Sequence, residues 1–121
     1  MDKPLAVIVE DDIEINNIFK LTLQTEFEIA TFQEGSAALN NLQHLTPALV
    51  ILDLNMPDMS GVDVLRAIKK DERLKSVPVI LATADAALAT TLEEMADLIL
   101  IKPISPVQLR SLAQRIGSLN S

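Results

Sequence analysis

Residues 48–61, which read ALVILDLNMPDMSG, constrain the fold more than any other part of the chain. Five apolar residues lead directly to Asp53, and Pro57 and Gly61 then turn the chain. A continuous apolar run between turn residues predicts a strand buried on both faces, and such strands belong to parallel sheets covered by helices. Ligands of open α/β sheets bind outside the carboxyl ends of the strands. The sequence therefore predicts that Asp53 lies at the edge where a ligand would bind.

Four further apolar runs alternate with segments of helical periodicity. This alternation predicts a single doubly wound α/β domain, in which a parallel five-stranded sheet carries helices on both faces. The predicted strands are residues 5–9, 27–32, 48–53, 78–83 and 97–101. The predicted helices begin at the N-cap Asp12, at Gly35, after Gly61, at Ala86 and at the N-cap Ser105. The second helix is predicted to end near Leu45, the fourth near Met95 and the fifth near Gly117. The buried stripe of the first helix is predicted to be Ile15, Ile18, Phe19 and Leu23.

Composition and charge exclude several classes of protein. The formal net charge of −7 makes nucleic acids and anionic membranes poor partners, since both favour patches of lysine and arginine. The chain has no cysteine, which excludes disulfides, thiolate zinc sites and a cysteine nucleophile. Because the sequence has neither a signal peptide nor an apolar stretch of membrane-spanning length, we expect a cytoplasmic protein. Because Gly117 is predicted to close the last helix, residues 1–121 are interpreted as one domain with no output domain.

Chemically distinctive residues occur where four of the five predicted strands end. They are Glu10, Asp11 and Asp12 after the first strand, Asp53 at the third, Thr83 at the fourth and Lys102 after the fifth. Each has an ordinary structural explanation when taken alone, because an acid can cap a helix and a Lys-Pro pair can belong to a loop. Parallel strands, however, bring all their carboxyl ends to one edge of the sheet. The set therefore indicates a site.

The chain resembles the receiver domain of two-component response regulators, the CheY-like family, over nearly its whole length. The motifs that carry the resemblance are Val9-Glu10-Asp11-Asp12, the DLNMPDMSG segment at 53–61, the PVILATA segment at 78–84 and Lys102-Pro103. The resemblance implies a flavodoxin-like sheet with strand order 2-1-3-4-5. In that order the first and third strands border the crevice at the topological switch point.

The resemblance also implies a signalling role rather than that of a dedicated enzyme. Asp53 would accept a phosphoryl group from a sensor histidine kinase or a histidine phosphotransfer protein, and Thr83 and Lys102 would stabilise that group. The change would be passed to a downstream protein target. Neither nucleic acid nor membrane is expected as a direct partner, and a homodimer would form through the face made by the fourth helix, fifth strand and fifth helix.

A bound Mg²⁺ ion is part of the same implication, with Mn²⁺ as a substitute. Asp11 and Asp53 would bind the ion directly, Glu10 through a water and Asn55 through its backbone carbonyl. The residues support this independently: two carboxylates about 5 Å apart repel each other by roughly 3 kcal/mol at an effective dielectric of about 20. A cluster of three therefore favours a cation or a protonated acid, and ligands that are all oxygen suit a hard ion.

Some positions depart from the family pattern. The aromatic switch residue that receivers carry three positions before the lysine is Ile99 here, and the chain contains no Tyr or Trp. The interval from Thr83 to Lys102 is short by nearly one helical turn, so we expect a short or displaced fourth helix and a modified output surface. Asn55 and Asp85 are expected to flank the phosphoryl group and tune its hydrolysis. The Asp85 carboxylate either orients a water or is simply solvated.

Three alternatives compete with the phosphoacceptor hypothesis. A degenerate receiver would act as a phosphorylation-independent interaction module, which Ile99 and the short fourth helix favour and the intact acidic site opposes. A flavodoxin-like FMN binder is disfavoured because Glu10, Asp11 and Asp12 would repel the FMN phosphate. A phosphatase of the haloacid dehalogenase type needs a second acid two residues after the first, where this chain has Asn55. His44 is interpreted as a surface residue.

Overall fold

The structure is a computed structural model, which describes the backbone of residues 3–119 and the side chains of residues 3–116. Within these residues, five strands alternate with five helices. The strands are β1 (Leu5–Val9), β2 (Glu28–Phe32), β3 (Leu49–Leu52), β4 (Val79–Thr83) and β5 (Leu98–Ile101). The helices are α1 (Ile13–Leu23), α2 (Gly35–Leu42), α3 (Gly61–Lys70), α4 (Ala86–Thr90) and α5 (Pro106–Leu119). The predicted alternation is confirmed.

All four strand pairings are parallel, and the sheet order is β2-β1-β3-β4-β5. This is the order that the family resemblance implied, and it places β1 beside β3. Val9 and Leu52 are register partners at the carboxyl ends of these two strands. The next residues, Glu10 and Asp53, therefore leave the sheet side by side at the switch point.

Side chains of alternating strand residues enter two separate cores, one on each face of the sheet. On one face Val7, Val9, Val50 and Leu52 pack with side chains of α2, α3 and α4. On the other face Ala6, Ile8, Ile51 and Ile80 pack with side chains of α1 and α5. Burial on both faces explains why β3 is a continuous apolar run. Among residues 3–119, no helix combines the length and the apolar character needed to cross a bilayer.

Several helix ends differ from the predictions. Helix α2 ends at Leu42 instead of Leu45, and the carbonyl oxygens of both residues accept hydrogen bonds from the Arg73 guanidinium. Helix α5 continues past Gly117 to Leu119, and no described glycine has the positive φ that a glycine C-cap requires. The prediction that Gly117 ends the last helix was therefore wrong.

Helix α4 has only five residues, which confirms the expectation of a short fourth helix but corrects its predicted end at Met95. Residues 91–95 continue as turns with hydrogen bonds of the i to i−3 type, such as Met95 N–H to the Leu92 carbonyl. Ala89 and Leu92 are nevertheless buried against the sheet. The prediction of a helix up to Met95 was therefore wrong, because the backbone tightens into turns after Thr90.

Candidate functional site

Three carboxylates converge at the switch point. Glu10 and Asp53 are almost fully buried, with exposed fractions of 1% and 5%, whereas Asp11 is exposed. One carboxylate oxygen from each of the three lies within 4.8 Å of the others. The ladder between β1 and β3 sets this arrangement, because the Asp53 N–H donates to the Val9 carbonyl at 2.9 Å. The predicted acidic cluster is thus brought together.

Lys102 reaches this cluster from the carboxyl end of β5. Its Nζ atom lies 2.6 Å from Oε1 of Glu10 and 3.5 Å from Oδ2 of Asp53. Its backbone N–H donates to the Thr83 carbonyl at 2.9 Å, and the peptide bond that follows it, to Pro103, is cis. The pocket thus holds three carboxylates and one ammonium group, so it is negatively charged when fully ionised.

Burial and the charges in the pocket shift the pKa values of both members of the ion pair. Burial raises the pKa of Glu10 to about 7, although the hydrogen bonds from Lys102 and from the Asp12 backbone oppose the shift. Burial by itself would lower the pKa of Lys102, but the Glu10 and Asp53 carboxylates outweigh it, and the pKa is raised above the ordinary lysine value. Glu10 therefore gains a proton readily near neutral pH when no further cation compensates it.

Thr83 ends β4, the strand next to β3, and is fully buried. Its Oγ1 atom accepts a hydrogen bond from the Asp85 N–H at 3.1 Å. Because a hydroxyl both accepts and donates, the Thr83 proton can still be donated to another oxygen. The Asp85 carboxylate, in turn, accepts from the Leu88 N–H at 3.0 Å as the N-cap of α4. Neither sequence-based reading of Asp85 anticipated this capping role.

Asn55 lies in the loop after β3, and its N–H donates to Oδ1 of Asp53 at 3.4 Å. The residue is exposed. Together with Asp11 and the residues up to Ser60, it lines an open groove of about 460 Å³. A ligand bound at the acidic cluster can therefore be approached from solvent along this loop.

The loop after β3 turns into α3 at position 61, and this turn requires a glycine. A Cβ atom there would lie 2.1 Å from the Asp53 carbonyl oxygen and 2.6 Å from the Cα of Leu54. The Gly61 N–H donates to the Leu54 carbonyl at 2.8 Å and closes the turn. Any larger residue would therefore displace the backbone that carries Asp53.

Sequence reasoning missed two residues that support the site. Asn16 is buried, and its Nδ2 atom donates to the Glu10 carbonyl at 2.9 Å and to the Phe32 carbonyl at 3.3 Å. Asn16 therefore belongs to the buried face of α1. The prediction that Ile18 belongs to this face was wrong, since Ile18 is 47% exposed. The spacing of Asn16 from Phe19 and Leu23 was an available signal. The second residue, Asp58, contacts α2 through bonds that no local pattern could reveal.

The family resemblance assigns Ile99 to the position of the aromatic switch residue. Ile99 pairs in register with Leu81 on β4 and packs, half-buried, in the core on the α2, α3 and α4 face. His44 is exposed, as predicted.

The donors present fit a hard divalent cation. The three carboxylates offer only oxygen ligands, and a single lysine leaves their charge only partly compensated. An acidic pocket at the switch point of a 2-1-3-4-5 sheet, with a threonine and a lysine on the neighbouring strand ends, defines a receiver-type α/β domain.

Comparison with known proteins agrees with this class. Residues 6–114 match the family model for the response regulator receiver domain, and the chain belongs to that family. Receiver domains are signalling domains that take phosphoryl groups from histidine kinases in two-component systems. The strand order, the acidic pocket and the family match together confirm the fold and the receiver function predicted from the sequence.

Individual relatives extend the comparison. The chain is 35% identical over 109 residues to the DNA-binding response regulator MtrA of Mycobacterium tuberculosis, an alignment that covers 85% of this chain and 46% of MtrA. The chain thus spans about half the length of the curated relatives of this kind.

Two solved structures are also similar. The chemotaxis response regulator CheY4 of Vibrio cholerae has a TM-score of 0.86 at 27% identity, with 94% of this chain and 98% of that chain covered. The Mn²⁺-bound form of the response regulator Rcp1 has a TM-score of 0.79 at 27% identity, with 95% and 92% covered.

Proposed function

We propose that Asp53 is the phosphoacceptor of this receiver domain. The observation that carries the proposal is the position of its carboxylate, which lies within 4.8 Å of oxygens of Glu10 and Asp11 and 3.5 Å from the Lys102 ammonium. Asp11, in turn, lines the open groove. A carboxylate oxygen would attack the phosphorus of a phosphohistidine, the P–N bond would break, and an acyl phosphate would form on Asp53. The histidine would belong to a sensor kinase or a phosphotransfer protein.

The proposed metal is Mg²⁺, with Mn²⁺ as a substitute. It would be held directly by Asp11, Asp53 and the Asn55 carbonyl, and through a water by Glu10. When bound, the ion would neutralise charge on the phosphoryl oxygens. Phosphoryl transfer depends on positioning and charge compensation, and the chain's own residues supply both. The Lys102 ammonium would pair with a phosphoryl oxygen, and the Thr83 hydroxyl would donate to another.

The output would be a change in the protein-binding surface near α4, β5 and α5, to be recognised by a downstream protein or by a second copy of the domain. Phosphorylation adds negative charge at the end of β3, and the neighbouring Thr83 and Lys102 connect that position to β4 and β5. Ile99 replaces the aromatic residue of the usual switch, so this surface would respond without an aromatic rotation.

Labelling with acetyl phosphate tests the proposal. Intact-mass spectrometry should detect one added phosphoryl group in the presence of Mg²⁺ and none after chelation. Asp53→Asn should abolish the label, while Asp63→Asn, which changes an exposed acid in the first turn of α3, should keep it. Labelling of Asp53→Asn at the rate of the unaltered protein would disprove the assignment. A correctly folded protein that takes no label from acetyl phosphate or a kinase would instead favour the phosphorylation-independent module.

A further inference from the structure

Asp58 fastens the loop after β3 to the start of α2. Its Oδ1 atom accepts a hydrogen bond from the Gly35 N–H at 3.0 Å, and its Oδ2 atom accepts from the Ser36 N–H at 3.0 Å and from the Ser36 hydroxyl at 2.6 Å. Glu34, the N-cap residue of α2, makes no side-chain capping bond. Asp58 therefore provides the cap of α2 from a different part of the chain.

These hydrogen bonds keep Asp58 ionised. The Ser36 hydroxyl contributes most to a pKa of about 2, and the backbone N–H groups of Ser36 and Gly35 act in the same direction. The contact is thus charge-assisted at any physiological pH.

Packing at the same place is an independent observation. Gly35 is buried, and a Cβ atom there would lie 2.9 Å from Cγ2 of Val64 and 3.2 Å from both the Cβ and the carbonyl oxygen of Met59. The first residue of α2 therefore presses directly against the loop that carries Asp58. Together, the close packing and the three hydrogen bonds join α2 and the loop as one unit.

The fastened loop is the one that would supply a metal ligand. Its ends are fixed, because Leu54 is buried and Ser60 caps α3 by accepting from the Val62 N–H at 3.1 Å. Between these ends, the hydrogen bonds that join residues 55–59 to another element of the described chain are those of Asp58. Asn55 itself is exposed and lies on the groove that it shares with Asp11.

We propose that Asp58 is a positioning residue for the metal site: by fastening residues 55–59 to α2, it holds the Asn55 carbonyl in place beside Asp11 and so sets the affinity for Mg²⁺. The inference rests on the proposed function, since it concerns the same pocket. A released loop must be ordered when the ion binds, and the free energy of ordering is subtracted from that of binding. Loss of a contact that orients a ligand commonly weakens metal binding by about 10-fold or more.

Mg²⁺ titration followed by NMR tests this directly, with the amide signals of Asp11 and Asn55 as the readout. Asp58→Ala should raise the Kd for Mg²⁺ by about 5- to 10-fold. Ser36→Ala, which removes one of the three hydrogen bonds and no charge, should raise it by a smaller factor. Glu34→Gln removes a negative charge at the same helix start without touching the contact, and its Kd should equal that of the unaltered protein.

Phosphorylation provides a second readout. In Asp58→Ala, the Mg²⁺ concentration for half-maximal labelling by acetyl phosphate should rise, while the rate at saturating Mg²⁺ should be largely retained. A merely destabilised protein would show the reverse, a lower rate at every Mg²⁺ concentration with unchanged half-saturation. Thermal unfolding of each variant would measure the folded fraction.

Two results would overturn the inference. One is an unchanged Kd in Asp58→Ala when the unaltered protein binds Mg²⁺ normally, which would leave the proposed function intact. The other is a Kd in Glu34→Gln raised as much as in Asp58→Ala, which would assign the effect to charge alone. Failure of the unaltered protein to bind Mg²⁺ would overturn the proposed metal site together with the inference.

Discussion

Lys102 forms its shortest ion pair with Glu10, at 2.6 Å, and lies farther from Asp53, at 3.5 Å. The lysine proposed to stabilise a phosphoryl group on Asp53 thus also compensates the most buried acid of the pocket. Glu10 is only 1% exposed and its backbone carbonyl is held by Asn16. Its Oε2 atom also accepts a hydrogen bond from the Asp12 N–H at 3.1 Å, which holds the carboxylate in the pocket. The Lys102 ammonium group therefore contributes both to the stability of the folded protein and to the proposed phosphoryl transfer.

Replacing Lys102 should destabilise the protein through Glu10. We expect Lys102→Met to lower the free energy of unfolding by about 3 kcal/mol at pH 8, because a buried carboxylate loses its counter-charge. Urea unfolding followed by circular dichroism measures this. In the double variant with Glu10→Gln, much of the loss should be recovered, with a coupling energy of about 1 kcal/mol or more. Additive effects of the two substitutions would contradict the interpretation.

Stability in Mg²⁺-free buffer should fall as the pH rises from about 4.5 to 7. Because the folded-state pKa of Glu10 is raised to about 7, the folded state binds more protons than the unfolded state in this window. The contribution is complete below the ordinary glutamate pKa and is lost as the pH rises through 7, and it amounts to at most about 3 kcal/mol.

Urea unfolding in EDTA at several pH values measures this slope. Glu10→Gln should flatten it, and Mg²⁺ should oppose it, because the ion favours the ionised carboxylate. A slope unchanged by Glu10→Gln would argue against a raised Glu10 pKa.

Asp58 affects stability in a different pH range. Its lowered pKa gives a contribution to stability that is present above the ordinary aspartate pKa and is lost as the pH falls through about 2.

Substituting Gly61 should damage both stability and the site. In Gly61→Ala, the new Cβ would lie 2.1 Å from the Asp53 carbonyl oxygen, so the backbone must move. We expect a loss of about 2–3 kcal/mol in the free energy of unfolding and slower labelling of the folded fraction. Gly35→Ala is the comparison, because its closest contact, at 2.9 Å, is with a side-chain methyl group of Val64, and its nearest backbone contact is at 3.2 Å. Equal losses in the two variants would contradict this ranking.

Asp85 can be tested as a helix cap. Asp85→Ala should lower the free energy of unfolding by about 1 kcal/mol, because the Leu88 N–H loses its acceptor. Asp85→Asn keeps a capping oxygen and should cost little. If Asp85 only caps α4, the lifetime of the phosphorylated protein should be the same for Asp85→Asn and the unaltered protein. A changed lifetime at unchanged stability would support the hydrolysis-tuning role instead.

The sequence by itself determined the sheet, the edge that carries the site and the members of the acidic cluster. The physical reason is local: buried parallel strands must be continuously apolar, so the polar residue that ends each run marks its carboxyl end. This rule identifies Asp53, which follows the strand LVIL, and Glu10, which follows the strand LAVIV. The short fourth helix followed from comparing the interval between Thr83 and Lys102 with that of the family that the sequence resembles.

Only the tertiary structure decided which side chains of the site pair with each other and which contacts hold them in position. The Lys102–Glu10 ion pair, the Asp58 contact with Ser36 and the hydrogen bonds of Asn16 each join positions distant along the chain. The ends of α2 and α5 and the capping role of Asp85 were likewise missed, because alternative partners of similar strength compete at every helix end. Such contacts depend on distances between elements, which appear only when the whole sheet and its helices are packed together.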